Sequence, residues 1–147
     1  MTISNTTVTA DAKVITRRAS TALLEAARNA CAEIGIQAAI AVTDPGGHLI
    51  AFERSERAGF LTGEVAIDKA WTAASFGLGT QVWHNIVSDP KVAQLAHRPR
   101  LVAVGGGLPI RSGGQVLGGI GISGGSADQD QEAAEIALRA VGFDSGL

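Results

Sequence analysis

The sequence predicts a mixed α/β fold of the α+β type, in which an antiparallel sheet of about five strands is flanked by helices. Three observations predict it. Two apolar stretches each fold back on themselves through a glycine-rich turn, apolar residues recur at helical spacing at both ends of the chain and in its middle, and the elements do not alternate one strand with one helix. Hairpins impose antiparallel pairing, whereas a parallel sheet needs a crossover after every strand.

The elements follow in order. Ile15, Ala19, Ala22, Leu23, Ala26, Ala27, Ala30 and Ile34 share one helical face, and Gly35 supplies the stop. Residues 36–43 run apolar with β-branched members, Asp44-Pro45-Gly46-Gly47 carries turn chemistry, and residues 48–54 resume in alternation, which predicts a hairpin. A second helix is expected with Thr62 as N-cap and Glu64 near its positive end, running to about Phe76 with Val65, Ala66, Ala70, Ala73 and Ala74 as a small-residue face. Thr80 is expected to cap a shorter helix that Asp89-Pro90 interrupts. Residues 101–104 form a short strand ending in Gly105-Gly106-Gly107. A second hairpin turns at Ser112-Gly113-Gly114, and Ser126 with Gln129 has the spacing of a capping box for a last helix stopped by Gly142.

At 147 residues one domain, 1–147, accounts for the whole chain, and 46% hydrophobic with 18% charged residues suffices to bury a core. A formal charge of −2 with dispersed basic residues gives no footprint for polyphosphate, so nucleic acid is excluded as a partner. No run approaches a membrane span, and the polar, Thr-rich first ten residues lack a leader's basic and apolar regions, so the expected location is cytoplasmic. The single Cys31 has no internal disulfide partner, and its neighbours Ala27, Ala30 and Ile34 place it on the buried side of a helix.

Several motifs match familiar patterns and fail on context. Gly119-Ile120-Gly121-Ile122-Ser123-Gly124 fits the dinucleotide fingerprint, but its glycines lie inside a strand and too little chain follows to complete a βαβ unit. Gly121-Ile122-Ser123-Gly124-Gly125 fits the nucleophile elbow, yet His48, His84 and His97 all precede the serine, the wrong order for that hydrolase fold. The three histidines and one cysteine have no zinc-ligand spacing. Gly105, Gly106 and Gly107 offer close backbone approach to a flat ligand or serve as a connection between strands. Glu64 and Asp68 are four residues apart on one helical face, close enough to perturb one another, with Lys69 adjacent; solvated helix charges are the plainer alternative. His48, at the junction of turn and strand, is placed either as a lone axial ligand for a macrocycle or as a solvated turn residue.

Four segments together resemble a known family: Val42-Thr43-Asp44-Pro45-Gly46-Gly47-His48-Leu49, Ile67-Asp68-Lys69-Ala70-Trp71-Thr72-Ala73, Gly106-Gly107-Leu108-Pro109-Ile110 and Gly118-Gly119-Ile120-Gly121-Ile122-Ser123-Gly124-Gly125. In order and spacing the chain is similar to the GlcG/HbpS family, which also forms the C-terminal domain of PduO proteins. The resemblance implies a profilin-like fold, homo-oligomers, and in some members haem binding. Where the family commonly reads Arg-Met-Asp-Gly-Ala, this chain has Arg54-Ser55-Glu56-Arg57-Ala58, and His97-Arg98-Pro99-Arg100 ahead of the strand at 101–104 is unusually polar; both departures are expected to reshape a pocket.

Two functions follow as expectations. The first is a small ligand-binding protein for haem or a related planar cofactor, with His48 as axial metal ligand and Arg54, Gly105, Gly106 and Gly107 lining the site. The alternative is a small cofactor-independent catabolic enzyme (isomerase, lyase or hydrolase) acting on a small organic acid or aromatic, with Glu56, Glu64 and Lys69 moving protons and Arg54 holding a carboxylate. Either way the partners are a small molecule and copies of the chain itself, a dimer or higher, with Phe60, Leu61, Trp71 and Trp83 as apolar anchors.

Overall fold

The computed structural model describes residues 7–144; residues 1–6, which begin the polar N-terminal stretch, and the last three of the expected domain lie outside them. Helix α1 (Arg17–Ile34) starts at Thr16, whose side chain accepts the Ala19 N–H, and stops at Gly35 in the left-handed region, as its sequence predicts. Strands β1 (Ala39–Thr43) and β2 (Leu49–Arg54) form the first hairpin. Helices α2 (Leu61–Phe76) and α3 (Thr80–Ile86) follow, then a 3₁₀ turn at Ala93–His97. Strands β3 (Gly107–Ser112) and β4 (Gln115–Ser123) make the second hairpin, and α4 (Ala127–Val141) closes the order with the predicted Ser126/Gln129 capping box.

The sheet is antiparallel throughout, in the order β2-β1-β4-β3. It has four strands among the described residues, because residues 101–104 do not pair. Their backbone groups go elsewhere: the buried Thr72 hydroxyl donates to Arg100 O at 3.1 Å and accepts from Val102 N–H at 3.1 Å. A helix side chain thus satisfies the polar groups that a ladder would have used.

Two helix boundaries differ from expectation for a similar reason. Thr62 lies inside α2, which opens at Leu61, and its hydroxyl donates back to Gly59 O. Thr80 is the first residue of α3 rather than its cap; its hydroxyl faces inward and accepts the Gly107 N–H at 2.9 Å. Threonine at a helix start serves whichever backbone group is near, and here both bond groups outside the expected cap geometry.

The two faces of the sheet are covered differently. On one, Ile40, Val42, Leu108, Ile110, Ile120 and Ile122 pack against α1 and α4 through Leu23, Ala27, Ala134 and Leu138. On the other, α2 lies directly on the strands, with Ala39 and Ala41 against Ala66 and Ala70. The approach is close because β4 presents glycines there: a β-carbon on Gly119 would stand 2.2 Å from Ala70 O, and one on Gly121 would stand 2.0 Å from Ala66 O. Gly119 and Gly121 of the fingerprint therefore serve helix-on-sheet packing inside a strand. No helix of the described residues is long and apolar enough to cross a membrane.

Cys31 is buried on α1, and loss of solvation, aided by the charge of Asp130, pushes its thiol up to about 11. So high a value leaves almost no thiolate at neutral pH, in keeping with a packing role. The tip of the second hairpin, Gly113-Gly114, has positive φ at both residues, which only a mirror-image two-residue turn requires.

Candidate functional site

The expected site residues fall into three separate places. His48 stands just before β2, with 81% of its side chain exposed. The Asp44 carboxylate holds it: Oδ1 accepts the N–H groups of Gly46 at 2.9 Å and His48 at 3.0 Å, and the ring Nδ1 lies 3.1 Å from Oδ1 and 3.2 Å from Oδ2. A carboxylate only accepts, so the Nδ1 side of the ring is its donor side, and Nε2 is the nitrogen whose lone pair a metal would take. Partial burial raises the Asp44 pKa, but the backbone N–H and ring of His48, with the Gly46 N–H, outweigh it and hold the carboxyl below its ordinary value.

The turn that carries His48 is seated on Trp71 of α2. A β-carbon on Gly47 would meet Trp71 Cδ1 at 2.6 Å, so the backbone lies against the pyrrole edge of the indole. The Arg100 guanidinium lies over the same ring, 4.6 Å from its centroid, and its Nε donates to Asp68 Oδ1 at 3.0 Å. Asp68 is thus paired with Arg100. Glu64 is exposed, and among the described residues it makes no hydrogen bond or ion pair.

Lys69 goes the opposite way from its neighbour. It is 2% exposed, and its ammonium donates to Ile122 O at 2.9 Å and to Asp130 Oδ2 at 3.0 Å. Asp130 Oδ1 accepts the Gly125 N–H at 2.9 Å, so the pair ties α2, the end of β4 and the first turns of α4 together. Burial pulls the lysine pKa down and Asp130 opposes it. This ion pair was not anticipated from the sequence, because its members lie 61 residues apart. The signal was nevertheless present: Lys69 shares its stripe with Ala66, Ala70 and Ala73, and Asp130 shares one with Ala133, Ala134 and Ala137, where a charge needs a buried partner.

The glycine tract packs against this pair. Gly106 donates its N–H to Gln131 Oε1 at 3.2 Å and Gly107 donates to Thr80, so these two donors are already used. A β-carbon on Gly106 would lie 2.7 Å from Lys69 Nζ, and one on Gly107 would lie 2.5 Å from Lys69 O. Gly105 is also buried and borders an open cleft of about 410 Å³ with Gln81, His84, Asn85, Asp128 and Gln131. Because β3 and β2 are opposite edges of the sheet, the tract and His48 are not brought together.

Arg54 and Glu56 do share a recess, of about 290 Å³, with Arg28, Gln37 and Glu53. Arg54 Nη1 donates to the carbonyls of Ser55 and Ala58, and so braces the turn after β2. Arg28 and Glu53 form a two-pronged ion pair at 2.9 Å beside it. Neither Glu64 nor Lys69 borders this recess. Among the described residues no three His, Cys, Asp or Glu side chains cluster as a metal site.

Comparison with known proteins agrees with this architecture. A 15.0 kDa protein of the dhaT-dhaS intergenic region of Citrobacter freundii is 32% identical over 127 residues, 84% of this chain and 89% of that one. The crystal structure of Klebsiella pneumoniae ORFY superposes with a TM-score of 0.87 at 29% identity, over 91% of this chain and 94% of that chain. The PduOC:heme complex superposes with a TM-score of 0.82 at 25% identity, over 91% of this chain and 99% of that one. The family model described as haem degrading protein HbpS-like matches residues 15–139, so the chain belongs to the HbpS-like family.

Proposed function

We propose that this protein binds haem or a closely related planar tetrapyrrole, with His48 as the axial ligand. The observation that carries the reading is the Asp44–His48 pair. An exposed imidazole whose Nδ1–H is held by a carboxylate presents Nε2 outward in a fixed orientation, the arrangement that suits a metal-bound histidine. Haem, when bound, supplies a redox-active iron, while the chain supplies the donor atom and its orientation. The likeness to a haem complex over nearly the whole chain supports the choice of ligand.

The acid–base alternative has weaker support, since Lys69 is committed to Asp130 in the interior while Glu56 and Glu64 stand in solvent on different elements. A cytoplasmic setting suits the lone buried Cys31, which needs no oxidising compartment.

Titration of the apoprotein with haem is expected to give a Soret band saturating at one haem per chain. His48→Ala should remove or displace the band. Asp44→Asn, which lets the ring turn, should weaken affinity by about tenfold. No spectral change at stoichiometric haem, or a band that His48→Ala leaves untouched, overturns the reading.

An exposed axial histidine leaves one face of a macrocycle in water, and a second copy of the chain would cover it. Phe60 and Leu61 at the start of α2 are 89% and 61% exposed, a contiguous apolar pair suited to such a contact. Trp83 is 6% exposed, so it belongs to the interior and not to the expected set of anchors, while its edge-on partner Phe76 is 75% exposed. Light scattering at micromolar concentration is expected to give a mass of at least twice 15.0 kDa, and Phe60→Asp with Leu61→Asp should reduce it.

A further inference from the structure

We infer that Arg100 is a carboxylate-binding residue of the His48 site, so that the planar ligand taken there carries acidic groups; this rests on the reading of His48 as axial donor. The starting observation is backbone conformation. Arg100 has φ of 71°, and among the described residues no other non-glycine residue has a positive φ. An L-residue with a full side chain is held in that region only where its surroundings over-determine it, and such outliers gather at functional sites.

The surroundings do over-determine it. The buried Thr72 hydroxyl fixes the backbone on both sides of Arg100, through Arg100 O and Val102 N–H. The guanidinium lies on Trp71, and its Nε is tied to Asp68. This leaves the two Nη groups without a hydrogen bond among the described residues, on a side chain 43% exposed. An arginine already oriented by stacking and by one ion pair keeps a two-pronged donor edge for a second carboxylate.

Position completes the case. Trp71 carries Arg100 over its face and the Gly47 backbone against its pyrrole edge, and Gly47 precedes His48. One indole therefore joins the candidate donor to iron and the candidate donor to carboxylate. The segment leading to Arg100 adds Lys91 and Arg98 against a single acid, Asp89, a local excess of positive charge in a chain of net charge −2. Arg100 is a ligand-binding and specificity residue in this scheme and not a ligand to the metal.

The test compares haem with haem dimethyl ester, whose carboxylates are masked, by Soret titration of the full chain. The parent protein should bind the ester about tenfold more weakly than haem, a difference of about 1.4 kcal/mol. Arg100→Gln should lower haem affinity to that of the ester and leave ester affinity unchanged, and Arg100→Lys should recover part of the loss. Arg100→Gly, which relaxes the backbone while deleting the guanidinium, should behave as Arg100→Gln and guards against a folding defect. His48→Ala should weaken both ligands alike. Arg100 variants that bind haem as tightly as the parent, or that lose ester affinity equally, overturn the inference while leaving His48 in place. A Soret band indifferent to His48→Ala, or no haem binding at all, overturns the site itself.

Discussion

Replacing Lys69 with Met is expected to lower folding stability by about 3–5 kcal/mol, because it leaves the Asp130 carboxylate charged, buried and deprived of its cation. Domains of this kind have a total stability of about 5–15 kcal/mol, so the loss is a large fraction and urea denaturation will resolve it easily. Asp130→Asn should destabilise comparably, by orphaning the ammonium. The double variant Lys69→Met/Asp130→Leu should recover much of the loss, since two apolar groups replace two charges. Recovery stays incomplete because the Ile122 carbonyl and the Gly125 N–H lose their partners. Glu64→Gln, on the same helix but in solvent, should move stability by no more than about 0.5 kcal/mol. Equal effects at Lys69 and Glu64 would contradict the interior placement of Lys69.

That pair also marks the limit of what the sequence discloses. Both hairpins, α1, α4 and the capping box were legible because their signals are local: a glycine stop, a cap residue, an alternation broken by a turn. The strand expected at residues 101–104 fails because a side chain 30 residues earlier claims the backbone of Val102, a contact no window across the segment contains. His48 was legible as a candidate from its place at a turn, whereas its carboxylate partner became apparent only once the turn closed Asp44 onto the ring. Arg100 was legible only as part of the unusually polar run His97-Arg98-Pro99-Arg100, since a left-handed arginine is a consequence of Thr72, Trp71 and Asp68 converging. Glu56, Glu64 and Lys69 were grouped by chemistry, and the fold separates them: Glu56 lies in the turn after β2, and the five residues from Glu64 to Lys69 carry the chain from the solvent side of α2 to its buried side.

Gly121→Ala is expected to cost about 3 kcal/mol or more, or to abolish the soluble fold, although it adds a single methyl group. Its β-carbon would lie 2.0 Å from Ala66 O and 2.7 Å from Ala70 N, both main-chain atoms of α2 that cannot rotate aside. Truncation of the neighbour by Ala66→Gly should therefore fail to rescue it. Gly59→Ala is the matched control: nothing stands within 4 Å of the added carbon, and stability should stay within about 0.5 kcal/mol. Thermal melts of the three variants decide the matter, and rescue by Ala66→Gly would show that the contact is with a side chain.

The unequal covering of the sheet gives the protein lopsided room for change. Beneath α1 and α4, aliphatic side chains meet aliphatic side chains, and Leu, Ile and Val can trade places there if total volume is kept. Beneath α2 there is no volume to trade, because the surfaces in contact are main chain against main chain with alanines between. Drift and laboratory evolution should thus accumulate freely on one side of the sheet and stall on the other. The stalled side is the one on which Trp71 and Lys69 ride, so the geometry of the His48 turn is inherited with the helix that carries it.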